Sequence, residues 1–113
     1  MITVYGIKSC DTVKKALKWL EERGIEHAFH DVRADGLDRP ELERWAGALG
    51  WEAMLNRRST TWRNLTDADK DGLNEARALD LMLARPTLIK RPLFDFNGLI
   101  LQGFDARVKA RLQ

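Results

Sequence analysis

The chain has 113 residues, 44% of them hydrophobic, with 19 Lys+Arg against 17 Asp+Glu for a net charge of +2. These are the length and composition of one globular domain with its own core, not of a disordered or low-complexity segment. So small a net charge gives no whole-chain argument for nucleic acid. With no apolar run near the ~18 residues of a membrane span and no signal-type start, a cytoplasmic protein without a membrane partner is expected.

Ile2-Thr3-Val4-Tyr5 is a β-rich run ending at Gly6 and reads as a first strand. After the loop Ile7-Lys8-Ser9 and the residues Cys10-Asp11-Thr12, the spacing of Val13, Ala16, Leu17 and Leu20 predicts an amphipathic helix, with Gly24 just past its end. Ile25 to Val32 reads as a second strand, so the first third is a βαβ unit with parallel strands. Asp38-Arg39-Pro40-Glu41 is a helix start with Asp38 as N-cap. Leu42, Trp45, Ala46 and Leu49 supply its stripe and Gly50 its end. Thr66-Asp67-Ala68-Asp69 starts another helix, with apolar face Ala76, Leu79, Met82 and Leu83 and an end at Pro86. Leu93 to Phe96, Asn97-Gly98, and Leu99 to Gln102 form a hairpin, because Asn-Gly supplies the positive φ values of a type I′ turn. Phe104, Val108 and Leu112 predict a last short helix. The order β-α-β, helices, β-β-α predicts an α/β fold: a four-stranded mixed sheet in a thioredoxin-like arrangement.

Cys10 is the only cysteine, which excludes an internal disulfide framework. With two histidines it is also too small a set for a structural zinc site, so no metal is expected. His27 and His30 fall on opposite sides of one strand and cannot share a metal. Dinucleotide, P-loop and zinc-protease motifs are absent. Cys10 follows a strand at the first turn of a helix, where backbone N–H groups and the positive helix end favour a thiolate. Lys8 and Lys14 add positive charge and Asp11 opposes it. The competing reading is a buried, inert thiol. Because position 13 is Val13, Cys10 has no C-x-x-C partner, and any disulfide it forms is with another molecule.

Asn56-Arg57-Arg58-Ser59-Thr60-Thr61-Trp62-Arg63 gathers three arginines and three hydroxyls, which suit an oxyanion or a phosphate. It reads equally as a solvated loop over a buried Trp62. Asp67 to Gly72 imitates half a calcium loop, but the twelfth position is Ala78, and an acidic helix start capped by Thr66 or Asp67 explains it better. Arg91-Pro92 opens the third strand, with either a cis or a trans bond.

The segment Tyr5-Gly6-Ile7-Lys8-Ser9-Cys10-Asp11-Thr12-Val13-Lys14-Lys15-Ala16 resembles the active-site segment of the ArsC/Spx family, in its YffB-like branch. Asn56 to Arg63 resembles that branch's central arginine segment. Lys90-Arg91-Pro92-Leu93 and Asn97-Gly98 through Gly103-Phe104 resemble its C-terminal Arg-Pro and hairpin. The resemblance implies a single thioredoxin-like domain over 1–113 with a helical insertion at about 38–90. It implies a nucleophilic Cys10, a cis-Pro92 beside it, an Arg91 that holds an oxyanion or the thiolate, and a substrate-binding set of Arg58, Thr60, Lys8, Lys14 and Pro92.

The function implied is a glutathione-linked thiol reductase or arsenate reductase-like oxidoreductase, in which Cys10 forms a mixed disulfide or an oxyanion adduct. Glutathione is then the co-substrate, with glutaredoxin as the alternative resolving partner and no bound cofactor. Arsenate reductases of the family carry His where this chain has Gly6, Ser where it has Val13, and a further arginine where it has Leu101-Gln102-Gly103. These departures argue against arsenate as the physiological substrate. The rival function is an Spx-like transcriptional regulator that binds RNA polymerase without turnover. Direct nucleic-acid binding through Arg57, Arg58, Trp62 and Arg63 ranks last.

Overall fold

In the computed structural model, which describes residues 1–113, the first β-branched run forms β1, Ile2–Gly6, with Ile2, Val4 and Gly6 buried in alternation. Helix α1, Asp11–Glu22, follows. Strand β2 is His27–Asp31, shorter than the expected 25–32 at both ends. The Ile25 amide donates to the Leu20 carbonyl (3.0 Å) and closes the helix. At the other end the Asp31 carboxylate accepts the Arg33 and Ala34 amides (both 2.8 Å), which turns the chain out of the sheet. β3, Leu93–Phe96, and β4, Leu99–Gln102, form the expected hairpin. Asn97 and Gly98 both have positive φ (53° and 94°), as a type I′ turn requires.

The strand order is β2-β1-β3-β4. β1 runs parallel to β2, with Gly6 beside Asp31, and antiparallel to β3, with Tyr5 beside Leu93. β3 and β4 are antiparallel, with Leu93 beside Gln102. The sheet is therefore mixed and four-stranded, a thioredoxin-like layer with helices on it.

One face of the sheet carries Ile2, Val4 and Phe94, which pack with Ala16, Trp19 and Leu20 of α1. Val108 and Leu112 of the last helix, α7 (Ala106–Leu112), complete that core. Trp19 lay outside the predicted stripe yet is buried, because Phe104 meets its ring edge-on at 5.6 Å and widens the covered face. Phe104 is not part of α7. Asp105 caps that helix by accepting the Val108 amide (2.9 Å), which leaves Phe104 in the preceding turn to pack on Trp19.

These elements, Met1–Gly36 and Arg91–Gln113, make one compact unit, and Leu37–Lys90 makes a second. The second unit is helical: α2 (Arg39–Leu49), α3 (Trp51–Met54), α4 (Thr60–Arg63), α5 (Asp67–Lys70) and α6 (Glu75–Ala84), then a 3₁₀ turn at Pro86–Leu88. Asp38 caps α2 as its sequence predicts, accepting the Glu41 amide at 3.0 Å. The single helix expected to start at Thr66 is instead two. Thr66 and Asp69 form a reciprocal capping box on α5, Gly72 turns with φ +62°, and Asn74 caps α6. The buried face of α6 is Ala78, Leu79 and Met82, while Ala76 of the expected stripe is exposed. The Arg77 guanidinium spans the break by donating to the Ala68 carbonyl (3.0 Å) and the Asp71 carbonyl.

Candidate functional site

Four segments leave the sheet of the first unit at the same end. β1 delivers the loop Ile7–Cys10, β2 ends in Asp31, β3 begins just after Arg91-Pro92, and β4 ends at Gln102. The register fixes this convergence: Gly6 pairs with Asp31, and Tyr5 pairs with Leu93, which in turn pairs with Gln102.

Cys10 is the N-cap of α1, in extended backbone conformation (φ −75°, ψ 123°). Its amide donates to the Ile7 carbonyl at 2.9 Å, and its carbonyl accepts the Lys14 amide at 3.0 Å as the first bond of the helix. The amides of Asp11, Thr12 and Val13 therefore precede any intrahelical acceptor. An N-cap side chain ordinarily supplies the acceptor for such amides, and here that place belongs to a thiol that is itself partly exposed and makes no capping bond. A negative sulfur at this point meets the partial positive charge of the helix end. The thiol is partly exposed rather than sealed in the core.

The Arg91–Pro92 peptide bond is cis, and Pro92 is buried. The Pro92 carbonyl accepts the Gly103 amide at 2.9 Å, which ties the start of β3 to the end of β4. Arg91 is half-buried. Lys8 and Lys14 are exposed, one in the thiol loop and one on the second turn of α1. The first unit thus brings Lys8, Cys10, Lys14, Arg91 and Pro92 to one end of its sheet.

Arg58 and Thr60 belong to the second unit. Arg58 is exposed, and its amide donates to the Asn56 side chain at 3.1 Å. Thr60 opens α4, whose cap is the Ser59 hydroxyl accepting the Trp62 amide at 3.1 Å. Trp62 is half-buried, with the Arg57 guanidinium 5.6 Å and the Lys70 ammonium 5.2 Å from its ring. The segment is a helical turn with a tryptophan flanked by cations, rather than an open loop.

Asp31 escaped the sequence reading. It is 5% exposed, alone among polar and charged side chains in being fully buried. One carboxylate oxygen accepts the Arg33 and Ala34 amides, and the other accepts the Lys8 amide at 3.0 Å. Burial alone pushes the carboxyl up. The bonds from Ala34, Lys8 and Arg33 and the charge of Arg33 outweigh it and hold the group below its ordinary value of 3.8. An Asp followed by Arg-Ala-Asp-Gly two residues on is a legible turn signal. The bond to Lys8, 23 residues away, is not.

The ArsC family model matches residues 5–109. An uncharacterized protein of Haemophilus influenzae is 52% identical over 107 residues, covering 95% of this chain and 94% of its own. The solved structure of a YffB protein superposes with a TM-score of 0.94 at 46% identity, covering 99% of this chain and 98% of that one. The global transcriptional regulator Spx of Streptococcus mutans is 28% identical over 107 residues, 93% of this chain and 77% of that protein.

Proposed function

The chain belongs to the ArsC family, and on that premise we propose that it is a glutathione-linked thiol oxidoreductase working through Cys10 alone. The observation that carries this reading is the thiol's place: partly exposed, at the N-cap of α1, on the same end of the sheet as Arg91-Pro92.

In the first step the Cys10 thiolate attacks one sulfur of a disulfide. A Cys10–substrate S–S bond forms, the substrate's own S–S bond breaks, and the second sulfur leaves as a thiolate. The same helix end stands beside the Cys10 sulfur when it attacks and again when it departs as the leaving group of the next step. The chain has no second cysteine, so an external thiol resolves the adduct. A glutathione thiolate attacks the substrate sulfur, and Cys10 departs as thiolate with its bonding pair. Glutaredoxin is the alternative source of that thiol. Arg91 presents a fixed positive charge to a carboxylate of glutathione or to an oxyanion substrate, and Lys8 and Lys14 add charge of the same sign. An oxyanion centre is the second class of electrophile: the Cys10 sulfur bonds to the central atom, one of its oxygens is protonated and leaves as water, and a sulfur-bound oxyanion adduct takes the place of the mixed disulfide.

Intact mass after brief exposure to oxidised glutathione at neutral pH tests this. One glutathione per chain, absent in Cys10→Ser and removed by reduced glutathione, is the expected result. No adduct on native protein that is alkylated normally after unfolding removes the proposal.

The similarity to Spx supports a second reading, a regulator that binds RNA polymerase. Retention of polymerase from cell extract that is equal for the wild type and Cys10→Ser favours it, as does a lack of exchange with glutathione disulfide.

A further inference from the structure

We propose that Asp31 is the positioning residue of Cys10, and this inference rests on the thiol chemistry just assigned. Two bonds tie the end of β1 and the loop that follows it to the end of β2 and the residue after it. The Val32 amide donates to the Gly6 carbonyl at 2.9 Å, which extends the parallel ladder by one bond. Beyond that point no strand pairing continues, and the Lys8 amide donates instead to the buried Asp31 carboxylate at 3.0 Å. The next bond along the chain is the turn from the Cys10 amide to the Ile7 carbonyl. Lys8 lies inside that turn. A carboxylate fixed on its amide therefore fixes the turn, and with it the point at which α1 begins and the thiol stands.

Asp31 is itself held rigidly. Its other oxygen takes the Arg33 and Ala34 amides, its own amide donates to the Asp35 carboxylate (2.9 Å), and its carbonyl accepts the Asp35 amide (2.8 Å). So ordered an anchor loses little entropy when it holds a second segment. A reacting thiol is sensitive to placement at the ångström scale. Charged hydrogen bonds to backbone amides are also the stronger kind.

Asp31→Asn is a selective break. Asparagine keeps the oxygen that accepts Arg33 and Ala34, a turn that Asn supports well, but sets an N–H₂ donor against the Lys8 amide. The variant is expected to form the Cys10–glutathione disulfide with a limiting rate about tenfold lower at an unchanged half-saturating concentration of glutathione disulfide. Asp35→Asn, which keeps a side-chain oxygen to accept the Asp31 amide and leaves the Lys8 bond untouched, is expected to stay within about twofold of wild type. Equal losses in both variants, or a change in half-saturation only, overturns the inference.

A second measurement needs no variant. In the wild type, the Lys8 amide proton resonance should move with the same acid midpoint as the Asp31 carboxyl carbon. A Lys8 amide indifferent to that titration overturns the positioning role, whether or not Asp31→Asn folds. If Cys10 of the wild type fails to exchange with glutathione disulfide, the proposed function falls while the Lys8 resonance still decides the role of Asp31.

Discussion

Gly6 and Val13 touch so closely that no side chain fits between them. A Cβ on Gly6 would lie 2.6 Å from one Val13 methyl and 2.9 Å from the other. Gly6 is not among the glycines with positive φ, so it is required by this contact rather than by its backbone conformation. The contact sets how near the first turn of α1 rests on the end of β1, and Cys10 is the cap of that turn.

Gly6→Ala should therefore destabilise the protein by about 1–3 kcal/mol through overpacking against a β-branched neighbour. Val13→Ala alone costs about 1–2 kcal/mol for lost buried methyls. The double variant should be less destabilised than the sum of the two. Denaturant midpoints at constant m-value check this, and strict additivity would show that the two residues do not share the strain.

Asp31 should govern part of the acid limb of stability. Its folded-state carboxyl titrates below its ordinary value, so the stability it contributes is complete above the pH at which the unfolded carboxyl ionises, about 4. That contribution disappears as pH falls through the lower, folded value. The gap in unfolding free energy between wild type and Asp31→Asn should be widest near neutrality and close progressively below about pH 4. A gap that stays constant across that range is the contrary outcome.

Arg91→Met should slow exchange with glutathione disulfide, which carries carboxylates, by about tenfold. With the uncharged hydroxyethyl disulfide it should change the rate by less than about twofold, since a lost charge matters only to a charged substrate. Quenched-flow mass analysis of the two reactions separates these cases, and equal losses on both disulfides would assign Arg91 to the thiol or to the fold rather than to the substrate's carboxylates.

Asp38→Ala should remove the cap of α2, whose only side-chain acceptor is the Asp38 carboxylate on the Glu41 amide. The cost should be about 1 kcal/mol in chemical denaturation. The rate of glutathione exchange at Cys10 should not move, because α2 carries none of the candidate site residues. A parallel loss of exchange would contradict this.

What the sequence determined by itself is local. The residues of β1, the apolar stripe of α1, the Asp38 cap and the Asn97-Gly98 turn each follow from contacts within a few positions, and the structure has them where the periodicity puts them. The thiol at the start of a helix was legible for the same reason. The structure departs from that periodicity in two places, one through a distant partner and one through a local break. Trp19 entered the core because Phe104 arrived beside it, and the helix expected from Thr66 onward broke at Gly72, with Arg77 bridging the gap.

Only the tertiary structure decided the surroundings of Cys10. Arg91-Pro92 reaches the same end of the sheet as the thiol loop through strand register, a quantity set by pairing rather than by any one segment. Asp31 became an anchor only when β2 was laid parallel to β1, which put its second carboxylate oxygen within bonding distance of Lys8. Gly6 likewise reads as an ordinary strand end until α1 folds back over it. Periodicity and caps are written in neighbouring residues, while a site is made where chain segments far apart in sequence must satisfy one another's hydrogen bonds and share the same few cubic ångströms.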